Sequence, residues 1–118
     1  MKKVLVFGSL NMDLTIECDV MPQAGETLEG RNFFTNPGGK GGNQAVAAAK
    51  LGAPTYMIAR VGKDLFGRQL RESLEGYGVD CTYMTESALN STGVAVITRC
   101  EGDNRIILSS GANHEMKG

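Results

Sequence analysis

The sequence lacks both an excess of one charge and a long hydrophobic run. Its 12 lysines and arginines nearly balance 13 aspartates and glutamates, which gives a formal net charge of −1. A chain so balanced has no basic field to attract nucleic acid or an anionic membrane. The apolar run Val4–Phe7 stops at Gly8 and is too short for a signal-peptide core or a membrane span. We therefore expect a cytoplasmic protein that binds neither nucleic acid nor membrane.

Cysteine and histidine are also scarce. The three cysteines, Cys18, Cys81 and Cys100, are odd in number and include no Cys-x-x-Cys pair, which argues against a disulfide framework and a zinc site. The single histidine, His114, has no second histidine or cysteine nearby. We expect reduced thiols, an exposed histidine and no metal site.

Glycine, in contrast, is abundant just before a strong helix-forming segment. Residues 38–43 read Gly-Gly-Lys-Gly-Gly-Asn and run into an alanine-rich stretch. Asn43 is a good N-cap and Gly52 a plausible C-cap, so the pattern predicts a helix over residues 43–51. Glycines beside the free N–H groups of a helix's first turn suit an anion or a polyhydroxylated ligand. The alternative is a flexible glycine turn before a surface helix.

Two nucleotide-binding motifs can be tested against these residues, and neither is present. A Walker A loop needs Ser or Thr after Gly-Lys, where this chain has Gly41. A dinucleotide fingerprint counted from Gly39 fails at Gln44. These mismatches weaken the hypothesis of a dinucleotide-binding domain.

The pattern that does match is Gly-Gly-Lys-Gly-x-Asn-Gln-Ala over residues 38–45, which resembles the N-terminal signature of the ribokinase-like (PfkB) carbohydrate kinases. A second motif of that family, Gly-Ser-x-Asn-x-Asp, covers residues 8–13 at a similar distance before the glycine stretch. Pro-x-x-Gly-Glu-Thr at residues 22–27 and Val-Gly-x-Asp-x-Phe-Gly at 61–67 also fit. The likeness spans nearly all 118 residues, but it corresponds only to the N-terminal portion of the family's much longer proteins.

The resemblance implies a sugar site. Taken alone, Asn11 and Asp13 are as compatible with capping or turning the chain after the first strand. By the resemblance they hold sugar hydroxyls, for which a carboxylate and an amide supply suitable acceptors and donors. Met12 between them is expected to line the pocket through its backbone or side chain, and Lys40 to contact a phosphate unless it is only a solvated lysine. The implied sugar-binding set is Asn11, Met12, Asp13, Gly38, Gly39, Lys40, Gly41, Gly42, Asn43, Ala95, Ile97 and Leu108.

The hydrophobic patterns predict an α/β fold. Val4–Phe7 and residues 56–61 read as strands of a parallel sheet, the first buried on both faces, and 79–84 as a further short strand. Asp64 is expected to cap a helix with one apolar stripe. The stripe consists of Phe66, Leu70, Leu74 and Tyr77.

Other segments alternate in polarity and predict a small antiparallel flap. Residues 14–18 and 26–34 form its first two strands, and residues 92–98 and 105–109 form a hairpin. By the resemblance, segments of about 14–36 and 92–109 make a lid over the sugar, with Ala95, Ile97 and Leu108 as apolar walls, although packing without a ligand is the commoner role of such residues. The fold class is thus the N-terminal part of a ribokinase-like fold: a parallel sheet flanked by helices, plus a small β lid, in one domain over residues 1–118.

The family's catalytic motif is absent from this sequence. The resembled kinases carry a Gly-Ala-Gly-Asp-like motif near the C-terminus, whose Asp is the base, together with most of the ATP pocket. Gly111-Ala112-Asn113 cannot replace it, because Asn is no carboxylate base. Loss of a general base costs about 10²–10⁴ in rate, so the 118-residue chain alone is predicted to be inactive.

Two functional hypotheses follow. The first is the sugar-binding part of an ATP-dependent carbohydrate kinase acting on ribose or a similar sugar, with ATP, Mg²⁺ and, as in some members, a monovalent cation used by the full-length enzyme. The second is a truncated, non-catalytic module that binds sugar or dimerises through its lid strands, whose open edges favour pairing. Under both hypotheses a homodimer through the lid is expected.

Overall fold

The computed structural model describes residues 2–116, which form an α/β fold with two separate sheets. The elements follow in the order β1 (Val4–Phe7), β2 (Asn11–Glu17), β3 (Arg31–Gly38), α1 (Lys40–Lys50), β4 (Thr55–Gly62), α2 (Leu65–Gly76), β5 (Met84–Ser87), β6 (Gly93–Cys100), β7 (Asp103–Ser109) and a 3₁₀ helix (Gly111–Glu115).

The first sheet is parallel, in the strand order β1-β4-β5. One face carries the core, in which Val6, Met57 and Val61 pack with residues of both helices. The prediction that β1 is buried on both faces was wrong, since Leu5 is 63% and Phe7 58% exposed. Within residues 2–116 both helices contribute to the core on the same side, so these two side chains lie uncovered on the other.

The third strand of this sheet begins later than predicted. Residues 79–83 make only one isolated bridge, between Tyr56 and Asp80, and β5 begins at Met84. The side chain of Asp80 accepts a hydrogen bond from the backbone N–H of Thr82 at 2.8 Å. This local bond turns the chain away from the sheet, as Asp commonly does.

The second sheet has four strands in the order β3-β2-β6-β7. The hairpin β6–β7 was predicted correctly, and its turn places Glu101 and Gly102 at positive φ. The antiparallel flap needs correction, because β2 pairs with β6 in parallel. The first strand starts at Asn11 and the return strand is β3, not residues 26–34. Pairing between Asn11 and Gly38 extends β2 towards its start and β3 towards its end, which accounts for both shifts in strand bounds.

Helix α1 also begins earlier than predicted, at Lys40 rather than after an Asn43 cap. Gly39 occupies the N-cap position with φ 93°, and no side chain caps the helix. The helix ends as expected, with Gly52 at φ 88° after the last turn. Four early glycines therefore do not delay the helix; two of them, Gly41 and Gly42, lie buried in its first turn.

Helix α2 follows the sequence prediction more closely. Asp64 is its N-cap and accepts a hydrogen bond from the backbone N–H of Gly67 at 2.8 Å. Leu70 and Leu74 are buried as predicted, whereas Tyr77 lies past the end of the helix and is 49% exposed. Neither helix is long and apolar enough to cross a membrane, within the part of the chain that the structure describes.

Candidate functional site

The candidate site forms where the turn between β1 and β2 meets the start of α1. The backbone N–H of Gly42 donates to the carbonyl of Ser9 at 3.2 Å. A Cβ at Gly39 would lie 2.7 Å from that same carbonyl oxygen, and one at Gly41 would lie 2.7 Å from the carbonyl carbon of Gly8. The glycines thus allow two backbones to approach each other, which explains why side chains are absent here.

Asp13 lies on β2, directly beside this junction. It pairs with Asn36 on one side and Ala95 on the other. A Cβ at Gly38 would lie 2.5 Å from Oδ2 of Asp13, so the carboxylate covers the backbone of that glycine. Burial raises the pKa of Asp13, with no hydrogen bond from residues 2–116 to offset it. The carboxylate accepts no hydrogen bond within this range, yet none of the buried side-chain oxygens there lacks a partner. The carboxylate is therefore not fully buried and is reached by solvent.

Asn11 lies two residues earlier on β2 and therefore projects from the same face of the sheet as Asp13. Its Oδ1 accepts a hydrogen bond from Nδ2 of Asn113 at 2.9 Å. The strand also places Asn11 between Gly38 of β3 and Gly93 of β6. The amide, the carboxylate and the glycine-lined start of α1 are therefore neighbours.

Met12 alternates with these two residues and points to the opposite face. Its side chain is 2% exposed and belongs to the hydrophobic core. Only its backbone remains available to a pocket. The predicted role of Met12 as a lining side chain therefore does not fit the structure, and the physical reason is the two-residue period of the strand.

The predicted apolar walls share the face of Asp13. Ala95 stands opposite Asp13 and Leu108 opposite Ala95, so the three form one row across the sheet. Ile97 belongs to the next row, beside Thr15. Ala95 is buried and Ile97 is partly buried, but Leu108 is 60% exposed. The row formed by Asp13, Ala95 and Leu108 is therefore exposed to solvent at β7, where Leu108 lies.

Lys40 and Asn43 lie in the first turn of α1, and both are exposed. Asn43 borders a cavity of about 240 Å³ between β3, α1 and α2, which Gly38 and Gly42 also line. Neither Asn11 nor Asp13 lines that cavity. We place the candidate site on the Asp13 face of the sheet, because the carboxylate of Asp13 and the amide of Asn11 lie there and not in the cavity.

Sequence reasoning missed Asn113, which it considered only as a failed catalytic base. Asn113 lies in the 3₁₀ helix and bonds both backbone groups of Leu10 as well as Asn11. The sequence offered one signal for this contact, a polar residue two positions after a glycine. That glycine, Gly111, has a φ of 51°. No periodicity links position 113 to position 11, so the contact became visible only in three dimensions.

A cluster of polar groups anchors this 3₁₀ helix to the parallel sheet. Glu115 forms a salt bridge with Arg60 at 2.6 Å and also accepts hydrogen bonds from Ser87 and Asn90. The pKa of Glu115 is lowered, mainly because Asn90 and Ser87 donate hydrogen bonds to its carboxylate. The His114 side chain between these anchors is exposed, as predicted.

A second cluster fixes the start of β6. Asp64 accepts hydrogen bonds from the Thr92 hydroxyl at 2.6 Å and the Thr92 backbone N–H at 2.9 Å, while that hydroxyl accepts from the N–H of Gly62. Burial acts to raise the pKa of Asp64, but the bonds from Thr92 and Gly67 outweigh it and lower the pKa. Within residues 2–116, no group of three or more His, Cys, Asp or Glu residues is placed to hold a metal ion.

Comparison with known proteins now decides the family. The model of the pfkB family carbohydrate kinases matches residues 1–118. The chain belongs to this family. Among its relatives, Bacillus subtilis ribokinase is 45% identical over 116 residues, which are 98% of this chain and 40% of the relative. A deoxyribokinase of Salmonella typhimurium is 40% identical over 93% of this chain and 36% of its own length.

Solved structures agree with this family assignment. Arabidopsis thaliana ribokinase, complexed with ribose and ATP, superposes with a TM-score of 0.86 at 40% identity, over 94% of this chain and 36% of that protein. Methanocaldococcus jannaschii nucleoside kinase gives the same TM-score at 20% identity, which shows a common fold. This pfkB-family chain spans 30–40% of the length of the ribokinases that it matches. The ribokinase-like α/β fold predicted from the sequence is therefore confirmed.

Proposed function

We propose that this chain forms the sugar-binding part of an ATP-dependent carbohydrate kinase, which transfers a phosphoryl group to a hydroxyl of ribose or a similar sugar. The observation that carries the proposal is the position of Asn11 and Asp13 on one face of β2, beside Gly38 and the start of α1. Ribokinases at 40–45% identity support ribose as the first sugar to test.

In this proposal, Asp13 accepts hydrogen bonds from sugar hydroxyls and Asn11 supplies a neighbouring polar contact. The carboxylate suits this role because solvent reaches it and no residue in the described range donates to it. Gly39 and Asn43 close the other side of the sugar, Gly38, Gly41 and Gly42 belong to the same binding set, and Ala95, Ile97 and Leu108 form apolar walls against the sugar. Gly41 and Gly42 are buried against the β1–β2 turn, so any contribution from them comes through the backbone.

The nucleotide is expected to bind mainly outside this chain. ATP would supply the phosphoryl group, Mg²⁺ would neutralise its charge, and a monovalent cation is a further expectation for the full enzyme. Of the residues present, Lys40 is the candidate for a phosphate contact, because its exposed ammonium group lies in the first turn of α1. We also propose that the 118-residue chain by itself has no kinase activity, since its sequence contains no Gly-x-Gly-Asp motif.

A homodimer through the four-stranded sheet is our proposal for the quaternary structure. Both edge strands, β3 and β7, are open within residues 2–116. Phe33, Ile106 and Ile107 on these strands are 61–73% exposed. Exposed apolar side chains on an open strand edge favour pairing with another strand. The same observation supports the second candidate function, a non-catalytic module that binds sugar or dimerises through its lid. We propose a cytoplasmic location for either function.

An activity assay combined with intact mass tests the two functions. Ribose-dependent ADP formation is measured for the complete natural translation product and for the 118-residue chain. The kinase proposal expects turnover from the complete product and none above background from the 118-residue chain. Complete product that forms no ADP with ribose or other pentoses would contradict it, and a native mass of only 118 residues would favour the non-catalytic module.

A further inference from the structure

The turn between β1 and β2 is held by a side chain that lies near the other end of the described chain. Asn113 Oδ1 accepts a hydrogen bond from the backbone N–H of Leu10 at 3.0 Å, and its Nδ2 donates to the Leu10 carbonyl at 2.9 Å. Leu10 is 1% exposed, so water does not replace these partners easily. The carboxamide of Asn113 therefore acts like a neighbouring strand for this one residue.

The remaining hydrogen of Asn113 Nδ2 points to Asn11. It donates to Oδ1 of Asn11 at 2.9 Å. The orientation of both amides follows from the chemistry of the backbone. Because the N–H of Leu10 can only donate, Asn113 must direct its oxygen there and its NH₂ group towards the Leu10 carbonyl and Asn11. Asn11 must then offer its oxygen to Asn113, and its own NH₂ group faces away.

This arrangement depends on Gly93. A Cβ at that position would overlap Nδ2 of Asn113 and lie 2.5 Å from Oδ1 of Asn11. The 3₁₀ helix that carries Asn113 is fixed by Ala112, whose N–H donates to the carbonyl of Ser91 at 2.7 Å, and by the salt bridge from Glu115 to Arg60. Asn113 is thus supported on both sides and keeps the orientation of its amide.

We propose that Asn113 is a positioning residue that fixes the polarity of Asn11, so that Asn11 presents only a hydrogen-bond donor to the sugar. No hydrogen bond within residues 2–116 uses the NH₂ group of Asn11, and it is not buried. Asp13, two residues along the same face, presents only acceptors when ionised. The pair therefore selects a sugar on which one hydroxyl accepts a hydrogen bond from Asn11. The same hydroxyl, or the neighbouring one on the ring, donates a hydrogen bond to Asp13.

The proposal rests on the proposed sugar site, so its first test measures ribose affinity by calorimetry in the complete natural translation product. Asn11→Asp keeps an acceptor for Asn113 but removes the donor from the sugar. We expect it to melt near the wild-type temperature and to lose about tenfold or more in ribose affinity. Wild-type affinity in this variant would overturn the polarity claim. The control, His114→Ala, changes an exposed neighbour in the same 3₁₀ helix and should bind ribose as the wild type does.

A double-mutant cycle separates positioning from mere stability. Asn113→Ala should weaken ribose binding about tenfold, but by less than about threefold when Asn11 is already alanine, because contacting residues couple. Equal losses in both backgrounds would overturn the positioning role.

Amide exchange by NMR tests Asn113 without any sugar. We expect slow exchange for the side-chain NH₂ of Asn113 and the N–H of Leu10, and fast exchange for the NH₂ of Asn11. Slow exchange at Asn11 and fast exchange at Asn113 would overturn the proposal even if ribose binds. Wild-type protein that shows this exchange pattern but binds no ribose would contradict only the proposed function.

Discussion

The carboxylate of Asp13 lies against the backbone of Gly38, at a distance that leaves no room for a side chain between them. A Cβ at position 38 would lie 2.5–2.8 Å from three atoms of the carboxylate. The two residues belong to neighbouring strands, β2 and β3, and are offset by two residues, since Asp13 pairs with Asn36 and Asn11 with Gly38. The position of the carboxylate therefore depends on a glycine in the adjacent strand.

Substitution of that glycine should displace Asp13. We expect Gly38→Ala to weaken ribose binding by about tenfold or more, because the charged hydrogen bonds of the carboxylate would be misplaced. The matched control is Gly76→Ala in α2, where a Cβ would meet nothing within 4 Å. Alanine there should leave ribose affinity unchanged and stabilise the helix by up to about 1 kcal/mol. Calorimetric titration and thermal melts of both variants check this, and unchanged affinity in Gly38→Ala would contradict the proposed role of the Asp13 position.

Asp13→Asn should weaken sugar binding and stabilise the fold at neutral pH. Burial raises the pKa of Asp13 above 3.8, so the folded state holds its proton more tightly than the unfolded state does. The ionised carboxylate therefore lowers the stability of the fold once the pH exceeds that raised pKa, and the penalty disappears below 3.8. We expect Asn at position 13 to raise the melting temperature at pH 7 and to leave it unchanged at pH 3. A lower melting temperature at pH 7 would show that Asp13 has a stabilising partner.

The Asp64 cap should contribute to stability without affecting the sugar. Asp64→Ala removes the cap of α2 and the bonds to Thr92, and we expect the free energy of unfolding to fall by about 0.5–2 kcal/mol or slightly more. Since the pKa of Asp64 is lowered, this contribution is present above pH 3.8 and is lost as the pH falls through the lower folded value. Urea unfolding at pH 7 measures the loss. Glu72→Ala, on the exposed face of the same helix, is the control and should change stability little.

The proposed dimer can be tested on one exposed side chain. Ile107 of β7 is 73% exposed, and a lysine there should prevent apolar contact between lid sheets. We expect Ile107→Lys to sediment as a monomer while the wild type sediments as a dimer. Leu89→Lys is the matched control, because Leu89 is 89% exposed in the turn between β5 and β6 and belongs to no strand of the four-stranded sheet. A wild-type monomer, or a dimer that persists in Ile107→Lys, would contradict a lid interface.

Local chemistry made parts of this fold predictable. Asp64 has a capping side chain and is followed by an apolar stripe, so α2 was predicted almost to the residue. The β6–β7 hairpin followed from alternation around a polar turn. The start of α1 was not predictable in the same way, since Asn43 has the side chain of a cap, whereas Gly39, which occupies the N-cap position, has none and lies at φ 93° against the β1–β2 turn.

In the candidate site, too, the residues marked by local sequence were predictable and those placed by long-range contacts were not. Asn11, Asp13 and the glycine stretch were found from two short motifs, and the register of β2 brings them together. The direction of Met12 depended on where β2 begins, which alternation alone placed three residues too late. Asn113 reaches Asn11 across 102 positions of sequence, and a pattern of a few residues cannot encode such a contact.

The most direct test of the sugar site is ribose titration by calorimetry at pH 7 with the complete natural translation product and its Asp13→Ala variant. If the carboxylate holds a sugar hydroxyl, the variant should lose about 1.5–3 kcal/mol of binding free energy, the usual range for a hydrogen bond to a charged group. Glu72→Gln on the exposed face of α2 should bind as the wild type does. Equal ribose affinity in the Asp13→Ala variant and the wild type would exclude Asp13 from the site and contradict the account of its function.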